Sequence, residues 1–186
     1  SIMLEIRSNE REFNSQVITW LNEFVRGGNY PFDNVTGETS IKVAGETTKF
    51  PDVQIWLNRA SKQGFCGWEL KPPSIPADDP ILLENAATKA RTMNADYFVT
   101  WNMRNAILWR TPQASLPVSA ENRVKEYPSI PNISQPEDMW VKPNEIRLKE
   151  RSREILDDLK IIKYDGHLHQ IEADTTFFVG RLHKSV

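Results

Sequence analysis

The sequence predicts an α/β fold: a mixed sheet with helices on its faces and a helical extension at the C-terminus. Three observations lead there. An amphipathic helical stripe opens the chain. Alternating apolar and polar residues mark several short strands. A helix with both a cap and a first-turn proline separates the third strand from the fourth.

Phe13, Val17, Leu21 and Phe24 recur at spacings of three and four, a helical stripe over about residues 9–25. Ser8 or Asn9 caps it, and Gly27-Gly28 ends it. Residues 34–37 are turn-rich, and Ser40-Ile41-Lys42-Val43 alternates as a short strand. A second strand is expected over 50–57 and its partner over 65–71, joined by the polar stretch 58–64, which suits a hairpin loop. Pro72, Pro73 and Pro76 end the later strand. Asp78 or Asp79 followed by Pro80 starts a helix that runs to about Met93. It buries Leu82 or Leu83, Ala86, Ala87 and Ala90, and its alanines permit close approach to a sheet. Residues 97–101 and 106–110 read as strands around a turn at 102–105. The first 110 residues thus read α-β-β-β-α-β-β.

Beyond residue 110 the texture changes. Pro112, Pro117, Pro128, Pro131, Pro136 and Pro143 interrupt the chain, and Arg123 to Tyr127 could add one short strand. A helix follows over about 144–161, with Ile155, Leu156, Leu159 and Ile162 apolar. A short capped helix is expected over 174–182, carrying Phe177, Phe178 and Val179. The expected organisation is a core over 1–115, a proline-rich connection over 116–143 and a helical extension over 144–186. So apolar a final helix wants a neighbour, which suggests a chain cut from a longer protein and leading into a following domain.

At 186 residues, 39% hydrophobic and 26% charged, the composition suits one globular domain with a small extension. No apolar run is long enough to span a bilayer, so no membrane partner is expected. No cleavable leader opens the chain, and the single cysteine, Cys66, cannot form an internal disulfide. A cytoplasmic protein of bacterial type is the expectation. The net charge of -2 excludes a broadly basic surface, so any grip on nucleic acid rests on a local patch.

The informative residues are Pro51-Asp52 on one strand and Glu69-Leu70-Lys71 on the next. Side chains alternate along a strand, so Glu69 and Lys71 point one way while Cys66, Trp68 and Leu70 point the other. A hairpin between the strands sets Asp52 beside Glu69. Two carboxylates about 4 Å apart repel by roughly 4 kcal/mol at an effective dielectric near 20, and burying them together calls for a cation. Lys71 offsets part of that repulsion. A divalent ion offsets more, and oxygen ligands favour magnesium. The backbone carbonyl of Leu70 faces sideways from its strand as a further ligand.

These residues, set on consecutive strands behind one helix and ahead of another, resemble the PD-(D/E)xK nucleases over roughly Glu10 to Arg110. The resemblance implies a restriction-endonuclease-like core, α-β-β-β-α-β, and magnesium-dependent hydrolysis of DNA phosphodiester bonds. It gives Asp52 and Glu69 the metal, with manganese able to substitute, and gives Lys71 the attacking water. It also implies an acid from the first helix, for which Glu12 and Glu10 are both candidates and the choice stays open. A polar residue of the later helix contacts DNA in that family, and Glu84, Thr88 and Lys89 are candidates. Lys62, a loop cation, is a further candidate phosphate contact. The segment 83–109, with Tyr97-Phe98-Val99-Thr100-Trp101-Asn102, is similar to the N-terminal nuclease domain of enzymes that fuse nuclease and DNA methyltransferase. Double-stranded DNA, methyltransferase and target-recognition domains of a parent chain, and a transient dimer for double-strand cleavage are the implied partners. The alternative is a nuclease-fold module that holds nucleic acid or a partner without cutting. A third reading keeps the chemistry but takes RNA or single-stranded DNA.

Other features read as structural. His167 and His169 lie two apart without zinc-spaced partners, and His183 sits near the chain end. Cys66 lies on the inward side of its strand. Neither a phosphate-binding glycine loop nor a methyltransferase cofactor loop is present.

Overall fold

The structure, a computed structural model, describes residues 2–37, 41–43 and 46–168. Helix α1 (Ile2–Gly27) leads into a six-stranded sheet. Its strands are β1 (Asn34–Gly37), β4 (Val53–Asn58), β5 (Gln63–Leu70), β6 (Tyr97–Trp101), β7 (Ala106–Arg110) and β8 (Arg123–Glu126), in that spatial order. Strands β2 (Ile41–Val43) and β3 (Glu46–Thr48) form a separate hairpin. Helix α2 (Pro80–Thr92) links β5 to β6, and α3 (Lys142–Asp165) follows β8. Neighbouring strands are antiparallel except β5 and β6, which run parallel. Parallel neighbours need a crossover rather than a hairpin, and α2 supplies it.

The period-two pattern of the strands divides the core. Cys66, Trp68 and Leu70 of β5 and Tyr97, Val99 and Trp101 of β6 join Phe13, Val17 and Leu21 of α1 and Leu148, Ile155, Leu156 and Leu159 of α3. The intervening Phe98, with Trp56, Ile107 and Trp109, packs on Leu83, Ala86, Ala87 and Ala90 of α2. Asp79 caps α2, its carboxylate accepting from the Leu82 N–H at 3.0 Å, and Pro80 follows at the first helical position. No helix of the described residues is long and apolar enough to cross a membrane.

Several elements differ from expectation. Residues 34–37, expected as a turn, form the edge strand β1, paired with β4 along its whole length. The strand expected at 40–43 lies outside the main sheet and has an unforeseen partner in β3. Strand β4 begins at Val53, so Pro51 and Asp52 stand just before it. Strand β5 ends at Leu70, yet the Lys71 N–H still donates to the Trp101 carbonyl at 2.8 Å. The division drawn at 115 and 143 is not a break in packing. Strand β8 extends the sheet, and Tyr127, Ile130, Ile133 and Met139 lie in the same core cluster as the α3 residues. The helix expected at 174–182, with His169 and His183, lies outside the described residues.

Candidate active site

In the β4–β5 ladder Val53 stands opposite Trp68 and Gln54 opposite Gly67. Val53 and Trp68 belong to the α1–α3 core, so the residues one step along, Asp52 and Glu69, turn toward the α2 face. The Asp52 carboxylate accepts the Leu70 N–H through Oδ2 at 2.9 Å. In an extended strand a residue's N–H and C=O point to the same side, so the Leu70 carbonyl also lies on the Asp52 side. Gly67 makes this approach possible: a Cβ there would stand 2.4 Å from Pro51 Cγ.

Glu69 is buried, at 2% exposure. Its Oε2 accepts from Lys89 Nζ of α2 at 3.0 Å. Its Oε1 is buried with no hydrogen-bond partner among the described residues. Burial first, then the nearby Asp52 charge, pushes the Glu69 carboxyl up to about 7, with Lys89 and Lys71 pulling it down. The four charged groups therefore share one electrostatic neighbourhood. Glu69, Lys71 and Lys89 open on a cleft of about 280 Å³ whose lining also includes Glu10, Asp79 and Asn85. The proline-rich loop after Lys71 walls this cleft and is tied at two points, to β6 and to the residue just after it. Thr100 Oγ1 donates to the Ala77 carbonyl at 2.6 Å, and Asn102 Nδ2 donates to the Ile75 carbonyl at 2.7 Å. Thr100 is the register partner of Glu69.

The sequence candidates are thus sorted by position. Asp52, Glu69, Lys71 and the Leu70 backbone come together. Glu10 lines the cleft, whereas Glu12 is exposed and is not among the lining residues. Lys89, expected as a DNA contact, is bonded to Glu69. Thr88 is exposed, its hydroxyl donating back to the Glu84 carbonyl at 2.8 Å, and Glu84 itself accepts the Val118 N–H. Lys62 is a turn residue with φ 57°, seven positions from Glu69 and so about 23 Å along the strand. It does not join this cluster. Cys66 is fully buried, and burial pushes its thiol up, which keeps it protonated. His167 is exposed beyond α3.

Sequence reasoning missed the Lys89–Glu69 pair, the Gly67 seat for Pro51, and the Thr100 and Asn102 ties. One clue to Lys89 was available: it falls three residues after Ala86, at the border of the buried stripe of α2. Among the described residues no group of three or more His, Cys, Asp or Glu could hold a metal ion. What the Asp52–Glu69 neighbourhood offers is two carboxylates and a strand carbonyl. These are hard oxygen donors of the kind divalent cations take with water completing the shell. The unpartnered buried oxygen of Glu69 is compatible with such a ligand.

No family model matches this chain, and no curated protein matches it. Among solved structures it is similar to the type IIG restriction endonuclease BpuSI, with TM-score 0.56 and 17% sequence identity. The likeness covers 83% of this chain and only 17% of that one. The mixed six-stranded sheet, its flanking helices and this likeness define the fold as restriction-endonuclease-like α/β.

Proposed function

We propose that this chain is a magnesium-dependent endonuclease module that hydrolyses DNA phosphodiester bonds, the cleavage part of a restriction–modification enzyme. The observation that carries the reading is Glu69 Oε1, a buried carboxylate oxygen without a hydrogen-bond partner among the described residues, beside the second acid Asp52. A cation satisfies both the orphaned oxygen and the repulsion between the acids. Asp52, Glu69 and the Leu70 carbonyl are the residues that hold it, and Glu10 is the helix-borne acid nearest the cleft. When bound, magnesium, or manganese in its place, supplies charge stabilisation at the phosphate oxygens and a water of lowered pKa. Lys71 would orient an attacking water with its ammonium protons and meet the charge that grows on the phosphate. The proline-rich loop, tied down by Thr100 and Asn102, keeps Lys71 in register with Glu69.

Double-stranded DNA is the proposed substrate. The net charge of -2 argues that most affinity and the choice of sequence come from methyltransferase and target-recognition domains of a longer chain. Two copies, paired transiently, cut the two strands. The test is nicking of supercoiled plasmid with magnesium or manganese, lost in EDTA. Asp52→Asn and Lys71→Ala should each reduce it at least about 10²-fold, with the melting temperature retained. Undiminished cleavage by both variants would refute the assignment.

A second reading, a module of this fold that binds nucleic acid or a partner without cutting, is favoured by the Lys89 pair, which supplies Glu69 with a cation of the protein's own. Magnesium calorimetry separates the two. Binding that requires Asp52 and Glu69 supports the nuclease, and no binding supports the module.

A further inference from the structure

We propose that Lys89 is a displaceable counter-ion that holds Glu69 in the absence of DNA and leaves it for a DNA phosphate, so that metal loading and DNA binding are coupled. This inference rests on the nuclease reading and concerns the same cleft. Its basis is the asymmetry of the Glu69 carboxylate. One oxygen is bonded to Lys89 at 3.0 Å and the other, buried, has no partner among the described residues. A purely structural pair would satisfy the carboxylate more fully, because a buried acceptor left unpaired is costly.

The lysine itself is suited to move. Its side chain is 22% exposed while Glu69 is 2% exposed, so the cation sits at the solvent side of the pair. It lines the cleft with Lys71 and Asn85, on the border of the α2 face. A flexible four-carbon stem with a compact charge can exchange one anion for another, which a planar guanidinium locked in a fork does less readily. A divalent cation arriving at Glu69 repels the ammonium, and a phosphate at the cleft mouth attracts it. Each ligand therefore favours the other, and by linkage the coupling is reciprocal.

Calorimetry with magnesium alone, without DNA, tests the first half. Lys89→Met should bind magnesium about tenfold tighter than wild type. Lys71→Met removes the same charge from the same cleft without breaking a bond to Glu69, and should tighten binding less. Lys89→Arg should bind no tighter than wild type. The second half uses a 20-base-pair duplex and the Lys71→Met background, which keeps both acids. Duplex should tighten magnesium binding there, and adding Lys89→Met should abolish that gain. Equal affinities for Lys89→Met and Lys71→Met, or a duplex effect that survives loss of Lys89, overturn the proposal and leave the nuclease reading standing. Magnesium binding that is absent throughout, or unchanged in Glu69→Gln, overturns both. Circular dichroism of each variant guards against misfolding, and Lys89→Arg still tests the claim if Lys89→Met does not fold: an Arg variant binding tenfold tighter contradicts it.

Discussion

The two faces of the sheet are built on different terms. The face under α1 and α3 is deep and apolar: Phe13 meets Trp101 edge-on at 5.1 Å, and Trp68 meets Trp101 at 6.1 Å. The face under α2 is covered largely by alanines, and Gln54, Glu69 and Thr100 are buried among its strand residues. Because strand side chains alternate, the same strands serve both. Trp68 and Leu70 anchor the fold while Glu69, between them, carries charge into the other layer. Stability and candidate chemistry are thus separated by a single step along β5.

The sharpest way to break that separation is to damage the apolar face. Leu156 is fully buried on α3. Leu156→Ala should cost about 2–5 kcal/mol in urea unfolding. If the faces are independent, metal affinity measured well below the melting transition should stay unchanged. A loss of affinity in the still-folded variant would show that the site depends on the far layer.

The opposite face answers to pH. The Glu69 carboxyl lies at about 7 in the fold against 4.5 for the free acid. Between those values the folded chain holds a proton that the unfolded chain has released. Its stabilising contribution is therefore full below about pH 4.5 and is lost as pH rises through about 7. The unfolding free energy from urea titration should fall between pH 5 and pH 8 by an amount on the order of 1–3 kcal/mol. Glu69→Gln should flatten that slope, and magnesium should reduce it in the wild type. A slope that persists in Glu69→Gln would assign it to other groups.

Gly67 seats Pro51 against β5. Its Cβ would strike Pro51, so Gly67→Ala must push Pro51, and Asp52 with it, away from β5. The expected cost is about 1–3 kcal/mol. Proposed cleavage should fall by more than this stability change explains, because the Asp52–Leu70 hydrogen bond fixes the first acid. Equal activity at a temperature where both proteins are folded would show that the acid tolerates the shift.

What was legible in the sequence follows from local physics. Strands β4 to β7 alternate or run apolar between turn residues, α2 has its cap and proline in order, and Glu69 and Lys71 are two apart, so their shared side needs no tertiary knowledge. Strand β1 was illegible because Asn34 and Gly37 read as turn residues. Only pairing to β4 and the seating of Ile18 against Gly37 make them a strand. The Lys89–Glu69 bond was illegible because the rotation of α2 over β5, which decides whether that lysine meets solvent or Glu69, is not written in the sequence. Lys62, the loop cation expected at a phosphate, stands at the far end of β5 from Glu69, a distance that follows from the strand's extended rise.

The smallest expected effect lies on the outer side of α2. Thr88 is one residue from Lys89 but is exposed, and its hydroxyl is already bonded to the Glu84 carbonyl. Threonine is a poorer helix former than alanine, so Thr88→Ala should change stability by no more than about 0.5 kcal/mol, toward greater stability. Duplex affinity, measured at fixed salt, should not change if nucleic acid enters only through the cleft lined by Lys71 and Lys89. A clear loss of affinity would widen the contact surface across the exposed side of α2. The chemistry would then no longer be confined to the cleft side of that helix, and the contrast between the two faces would have to be redrawn to include its solvent side.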